Sequence, residues 1–211
     1  MISIEKGVCP QVLSDNAANW LAEWLEDKSN ATKRYRYRHS DIKEALNRET
    51  HDKCVYCESY LGVTHPGETE HKVPSSKDDS LHFEWLNLTR ACNECNRRKN
   101  NYYEHDEGFV DPYQDDVLSF FEHHGPIVWW VNGNNRAEVA VRMLELNERA
   151  HLILSKRDAL MSLKDALARY DKEEDPTLKG IMRLGLLKRA EPEHEYSAMI
   201  AAVLRLHGLL E

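Results

Sequence analysis

Apolar positions near the start of the chain recur at three- and four-residue intervals, which is the pattern of an amphipathic helix. The apolar stripe consists of Trp20, Leu21, Trp24 and Leu25. Asp15 is the predicted N-cap of this helix. After a polar stretch at residues 33–38, Ser40 is predicted to cap a second helix that runs from Asp41 to about Thr50.

The last third of the chain shows the same helical spacing. One long pattern runs from Ala137 to Tyr170, and further helices are predicted to start at Asp175-Pro176 and at Pro192. Two apolar runs, Val117–Phe121 and Ile127–Val131, come before them and predict short strands.

Residues between these helical regions follow a different pattern. A short strand or knuckle is predicted at Cys54–Leu61, a loop at His65-Pro66-Gly67 and a strand at Thr69–Val73, which Pro74 ends. We therefore predict an α+β chain that is mainly helical. Its three segments are a helical N-terminus (1–50), a central unit (51–112) and a mostly helical extension (113–211).

No apolar run approaches the length of about 20 residues that a membrane-spanning helix needs. The N-terminal sequence also lacks the charged-then-apolar order of a signal peptide. We therefore expect a cytoplasmic protein with no membrane partner. Thiols stay reduced in that compartment, so paired cysteines indicate a metal site rather than disulfides.

The formal net charge of −8 predicts weak unaided binding to nucleic acid. Two local basic patches, at residues 33–38 and 97–99, change that expectation. The residues predicted to contact nucleic acid are Arg34, Arg36, Arg38, Arg97, Arg98 and Lys99. The same patches are also consistent with a solvated helix face or with docking to an acidic partner.

Two Cys-x-x-Cys pairs carry the strongest chemical signal. Cys54 and Cys57 form the first pair, and Cys92 and Cys95 form the second. Zinc prefers four tetrahedral ligands, and each pair can bring two thiolates of one tight turn to the same ion. We predict a structural Zn²⁺ site, because four thiolates leave no open position for catalysis.

Polar residues between and after the cysteines suggest a second metal site. Glu70 offers a carboxylate and Asn96 a carbonyl oxygen, ligands that suit Mg²⁺ or Mn²⁺. A neutral imidazole at His71 can accept a proton from water at physiological pH. His51 and His82 lie in the same unit and are weaker candidates. Together these groups suit hydrolysis of a phosphodiester.

The central unit resembles the HNH, or ββα-metal, endonucleases. The motifs that carry the resemblance are CVYC (54–57), EHKVP (70–74), NL (87–88) and CNECNRRK (92–99). The resemblance implies that Glu70 and Asn96 bind the catalytic metal and that His71 is the general base. It also implies that Asn87 shapes the loop that holds the histidine. Glu70 and Asn96 replace residues that are commoner in the family, and both changes favour oxygen ligands.

A narrower resemblance extends to the rest of the chain. The opening MISIEKGVCPQVL, HDKCVYCE, Asp111-Pro112 and VRMLELN (141–147) are similar to the HNH component of Septu anti-phage systems, which also occurs with retrons. This resemblance implies a defence nuclease for DNA or RNA. It also implies an ATPase partner of the PtuA type and, in retron systems, a reverse transcriptase with its nucleic acid.

Two alternatives stay open from the sequence. The chain is also consistent with a non-catalytic zinc module that binds nucleic acid or protein, which would show no metal-dependent cleavage. A stand-alone restriction-type HNH nuclease would cut without a partner.

Overall fold

The computed structural model describes residues 1–62, 66–104 and 108–211, so His65 of the predicted loop lies outside the described residues. The helices are α1 (Gln11–Glu26), α2 (Ala31–Arg34), α3 (Ser40–Thr50), α4 (Asn93–Lys99), α5 (Asn135–Met143), α6 (Ala150–Lys172), α7 (Pro176–Lys188) and α8 (Ser197–Leu206). The strands are β1 (Glu68–His71), β2 (Leu88–Ala91), β3 (Phe121–His124) and β4 (Ile127–Trp130). Strands β1 and β2 pair antiparallel, as do β3 and β4. The predicted α+β class is confirmed.

The two N-terminal helices begin slightly earlier than predicted. Helix α1 starts after Pro10, whose carbonyl accepts hydrogen bonds from two amides of the first turn, so the prediction of Asp15 as N-cap was wrong. Proline suits this position because its fixed φ starts a helix well. Helix α3 starts at Ser40, and His39 caps it instead by accepting a hydrogen bond on its ring nitrogen at 3.2 Å.

The N-terminal helices pack against the central unit through a shared apolar cluster, here called the N-terminal core. Its buried members are Leu13, Trp24, Tyr37, Ile42, Ala45, Leu46, Phe83, Trp85 and Leu88. The last three belong to β2 and the segment before it, whereas the others come from the first fifty residues. Burying these side chains fixes the N-terminal helices on one side of the β1–β2 sheet.

The long helical pattern after Ala137 is broken in the structure into α5 and α6. The side chain of Asn147 binds both backbone groups of Val128 in β4, at 3.0 Å to the amide and 2.8 Å to the carbonyl. Glu145 has a left-handed backbone with φ of 48°. These features end the first helix and turn the chain before α6 begins.

Two further boundaries also differ from the predictions. The predicted strand Val117–Phe121 is a 3₁₀ turn at Val117–Ser119 followed by β3, because Ser119 folds back onto the carbonyl of Asp116 through its amide and its hydroxyl. The helix expected from Pro192 starts only at Ser197. By contrast, α7 starts at Pro176 with Asp175 as its cap, as predicted.

Helices α5, α6, α7 and α8 pack with the β3–β4 hairpin around a second apolar cluster, here called the C-terminal core. Three cysteines, Cys54, Cys57 and Cys95, are buried in it together with Leu144, Leu163 and other side chains. No helix in the described part of the chain is long and apolar enough to cross a membrane. The C-terminal helices therefore pack directly against the cysteine side of the central unit.

Candidate metal centre and active site

The four paired cysteines meet at one point. Their Sγ atoms all lie within 4.8 Å of one another, and the Sγ atoms of Cys57 and Cys92 are 3.8 Å apart. A tetrahedral ion with Zn–S bonds of about 2.3 Å requires S···S separations of about 3.8 Å. The cysteines therefore fit a zinc ion, as predicted from their spacing.

Local structure prepares the cysteines for an ion. Cys92 is the N-cap of α4, and its Sγ accepts a hydrogen bond from the amide of Cys95 at 3.4 Å. Hydrogen bonds from the neighbouring thiols lower the pKa of Cys57 well below its ordinary value, whereas burial raises the pKa of Cys54. Metal binding requires thiolates, so the pKa shift at Cys57 favours it.

Cations from α6 and from the residue before it flank the cysteine cluster. Arg149 Nη1 lies 3.5 Å from Cys95 Sγ, and its Nε and Nη2 atoms are buried without a hydrogen bond to any described residue. Lys156, about two helical turns further along α6, is buried among the same groups. A zinc ion bound by four thiolates would carry two net negative charges, which these cations would offset.

A second site lies at the other end of the central unit, at the end of strand β1. Glu68 pairs with Ala91 and His71 pairs with Leu88, so β1 runs antiparallel to β2 and delivers its carboxylates and histidine together. Glu70 and His71 line a cleft of about 360 Å³, to which α4 contributes Asn96. The structure thus brings Glu70, His71 and Asn96 to one cleft.

His71 has a defined tautomer. Its Nε2 donates to the backbone carbonyl of His82 at 2.8 Å, so its Nδ1 carries the lone pair. Burial lowers the pKa of His71 to about 4, against the opposing effect of that hydrogen bond. The imidazole is therefore neutral near pH 7 and can accept a proton.

Glu70 is buried, with 4% of its surface exposed. Lys99 Nζ lies 2.7 Å from its Oε1, yet neither carboxylate oxygen has a well-aligned hydrogen bond to a described residue. A buried carboxylate that shares a cleft with the amide of Asn96 fits a hard divalent cation.

Asn96 contacts Glu68 rather than Glu70. Its Nδ2 donates to Glu68 Oε2, which leaves its carbonyl oxygen for another partner. Sequence reasoning missed Glu68. The available signal was the period of two along a strand, which places Glu68 and Glu70 on the same face.

Asn87 clamps the chain that follows His71. Its Oδ1 accepts from the amide of Val73 at 2.7 Å, and its Nδ2 donates to the carbonyls of Val73 and Leu81, both at 3.0 Å. Its own carbonyl accepts from the amide of Lys72. These bonds end β1 at His71, two residues before the predicted end at Val73.

The six predicted nucleic-acid contacts divide into two groups. Those that line the cleft beside His71 are Arg34, Arg38 and Arg97. Arg36 instead pairs with Glu23 at 2.7 Å, and Arg98 pairs with Glu145 at 2.8 Å. Lys99 is 2% exposed and donates to the carbonyl of His71, so it does not face the solvent.

The two weaker histidine candidates also separate. His82 is buried and its ring stacks on that of His71, with centroids 4.8 Å apart. His51 has a left-handed backbone at the end of α3, with φ of 53°, and it is not among the residues that line the cleft.

Comparisons with known proteins agree with this geometry. Residues 54–102 match the family model of the HNH endonucleases. The chain is 26% identical to Septu protein PtuB of Bacillus thuringiensis, over 97% of this chain and 82% of that protein. A Septu protein PtuB of Bacillus mycoides strain KBAB4 is 25% identical over 54% of this chain and 49% of its own length. The chain therefore contains an HNH nuclease domain at residues 54–102 and resembles Septu protein PtuB over nearly its whole length.

Proposed function

We propose that this HNH nuclease is a metal-dependent endonuclease in which His71 is the general base. The observation that carries the proposal is the bond from His71 Nε2 to the carbonyl of His82, because it leaves Nδ1 as the proton acceptor. A water molecule in the cleft would lose its proton to Nδ1 as it attacks a phosphodiester.

Glu70 and Asn96 would hold Mg²⁺ or Mn²⁺, both of which prefer oxygen ligands. When bound, this cation supplies the positive charge that stabilises the transition state and the leaving oxygen. Asn87 supports the chemistry indirectly, since its hydrogen bonds keep the chain after His71 in one conformation. The Cys54, Cys57, Cys92 and Cys95 centre would hold a structural Zn²⁺.

The nuclease domain implies a nucleic acid substrate, which is either DNA or RNA. We propose that Arg34, Arg38 and Arg97 contact its phosphates, because all three line the cleft. We propose no direct phosphate contact for Arg36, Arg98 and Lys99, because none of them lines the cleft and each pairs with an acidic side chain. Arg97 also pairs with Glu94, at 3.1 Å, but its side chain lines the cleft.

The resemblance to PtuB supports a role in Septu-type anti-phage defence. We propose an ATPase of the PtuA type as partner and, in a retron setting, a reverse transcriptase with its nucleic acid. The net charge of −8 supports delivery by a partner, because it disfavours unaided binding to a polyanion. We propose a cytoplasmic location, because thiols stay reduced there. We also propose that the chain divides into three segments, residues 1–50, 51–112 and 113–211.

Cleavage assays with His71→Ala test the mechanism. Purified protein would be incubated with Mg²⁺ or Mn²⁺ on plasmid DNA and on total RNA, with and without the ATPase. We expect the variant to lose about 10²- to 10⁴-fold in cleavage rate, the usual contribution of a general base, and to keep its zinc content and melting temperature. His124→Ala is the matched control, since His124 is exposed on β3 away from the cleft.

Other outcomes would select the alternatives. Cleavage by His71→Ala at the wild-type rate would remove His71 from the mechanism. Zinc content without any cleavage, by wild-type protein with or without the ATPase, would indicate a non-catalytic zinc module. Efficient cleavage without the ATPase would indicate a stand-alone nuclease.

A further inference from the structure

We propose that His82 is a positioning residue that holds the imidazole of His71 and connects it to the basic segment at residues 34–38. The proposal rests on the proposed role of His71 as general base. His82 is 2% exposed and would not itself contact the substrate.

The ring of His82 lies between two other rings. One face stacks on His71, with centroids 4.8 Å apart and planes 12° from parallel. The opposite face stacks on Trp24 of α1, with centroids 3.9 Å apart and planes at 19°. The indole therefore supports His82 from behind, and His82 supports the ring of His71 in turn.

Hydrogen bonds fix the orientation of the His82 ring within this stack. Its Nε2 donates to the carbonyl of Arg34 at 2.8 Å, and its Nδ1 accepts from the hydroxyl of Ser75 at 2.6 Å. Because Nε2 must carry the proton to donate, the imidazole is the neutral Nε2–H tautomer. Its backbone carbonyl is the acceptor that fixes the tautomer of His71.

Residue 82 thus connects His71 with Arg34, which line the cleft from different segments of the chain. Its carbonyl and ring face hold the proposed base, and its Nε2–H holds the backbone of Arg34, whose side chain lines the same cleft. Tyr37 contacts both histidines edge-on, at 4.6 Å from the His71 ring and 5.1 Å from the His82 ring. A displacement of the base by about 1 Å can reduce a catalytic rate about 10²-fold, so this packing matters for turnover.

Substitutions at residue 82 separate positioning from folding. In His82→Ala, the support for His71 is lost, and we expect kcat to fall about 10- to 100-fold while KM for an oligonucleotide changes less than about threefold. His82→Phe retains an aromatic face against His71 and should recover most of the lost kcat. Leu46→Ala is the matched control, because Leu46 is fully buried in the same N-terminal core and has no part in the stack. It should lower the melting temperature without changing kcat.

The ring nitrogens of His71 provide a readout that does not depend on cleavage. ¹⁵N NMR of the zinc-loaded protein without Mg²⁺ should show a single Nε2–H tautomer of His71 in wild type. In His82→Ala the carbonyl of residue 82 remains but is no longer held by the ring stack and the bond to Arg34, so a second His71 tautomer should appear. A single tautomer and a wild-type kcat in His82→Ala would overturn the proposal. If His71→Ala still cleaves, the proposed base is wrong, while the NMR result still reports whether His82 orients the ring.

Discussion

Replacement of Arg149 by glutamine should weaken the zinc centre. Arg149 precedes α6, far from the cysteine motifs in sequence, yet its Nη1 is a donor to Cys95 Sγ at 3.5 Å. Its Nε and Nη2 atoms are buried beside the same cluster and lack a hydrogen bond to any described residue. The nearby thiolates raise the pKa of Arg149, against the effect of burial, so the side chain keeps its charge.

The size of the effect follows from the type of interaction. A hydrogen bond between charged groups contributes about 1.5–3 kcal/mol, and each 1.4 kcal/mol corresponds to a tenfold change in an equilibrium constant. Loss of a residue that supports metal ligands usually weakens metal binding by about 10- to 100-fold. Arg149 is partly exposed, so solvent screening places the expected loss at the low end, about tenfold.

Zinc transfer to a chromophoric chelator measures this change directly. The half-saturating chelator concentration should fall about tenfold for Arg149→Gln and by less for Arg149→Lys, which retains the charge but not the planar fork. Arg157→Gln is the control, because Arg157 lies on the same helix and is exposed, with Asp158 as its partner. Zinc retention by Arg149→Gln equal to wild type would show that the thiolates need no cation from this part of the chain.

Three other predictions concern the central unit and the β3–β4 hairpin. Asn87→Ala should lower the free energy of unfolding by about 1–3 kcal/mol, because it leaves the amide of Val73 without its acceptor, and should slow cleavage; thermal melts and rate assays check both. Lys99→Met leaves Glu70 as a buried, unpaired carboxylate and should lower the free energy of unfolding by about 3–5 kcal/mol. Because Glu70 is a proposed metal ligand, Mg²⁺ should raise the melting temperature of this variant more than that of wild type. An equal or smaller rise would contradict that role. Burial lowers the pKa of His123 to about 3. Between about pH 6.5 and pH 3, His123 is therefore protonated in the unfolded chain but neutral in the folded protein. The free energy of unfolding should fall as the pH falls through this range, by up to about 1.4 kcal/mol per pH unit. Urea denaturation at pH 5 to 7 with excess zinc should show a shallower pH dependence in His123→Phe than in wild type.

Sequence spacing predicted those parts of the site that depend on short segments. Each Cys-x-x-Cys pair and the Glu70-His71 dipeptide lie within one short segment, so their pattern is readable in one dimension. The role of Asn87, which binds Val73 14 positions away, was expected only from the resemblance to the HNH endonucleases. His82 was only a weak candidate, because its role depends on Trp24 and the carbonyl of Arg34, which lie far away in sequence. No sequence pattern indicated the contact of Arg149 with Cys95, because the intervening helices determine it.

Several helix boundaries were predicted wrongly for a similar reason. Spacing of apolar residues continues through the break between α5 and α6, because Leu144 and Leu146 are buried on either side of the left-handed Glu145. The break coincides with Asn147, whose amide side chain binds both backbone groups of Val128 in the hairpin. A hydrophobic pattern records burial, whereas helix ends depend on individual polar contacts.

The regions that flank the central unit hold it at two different sites. On one side, α1 and the basic segment reach the proposed general base through Trp24, Arg34 and His82. On the other side, the residue before α6 reaches the proposed zinc ligands, because Arg149 contacts Cys95. Because β1 and α4 connect these sites, displacement of either flanking region would alter the geometry of the cleft. A partner that docks on either flank would therefore have a physical route to change nuclease activity without contacting the substrate.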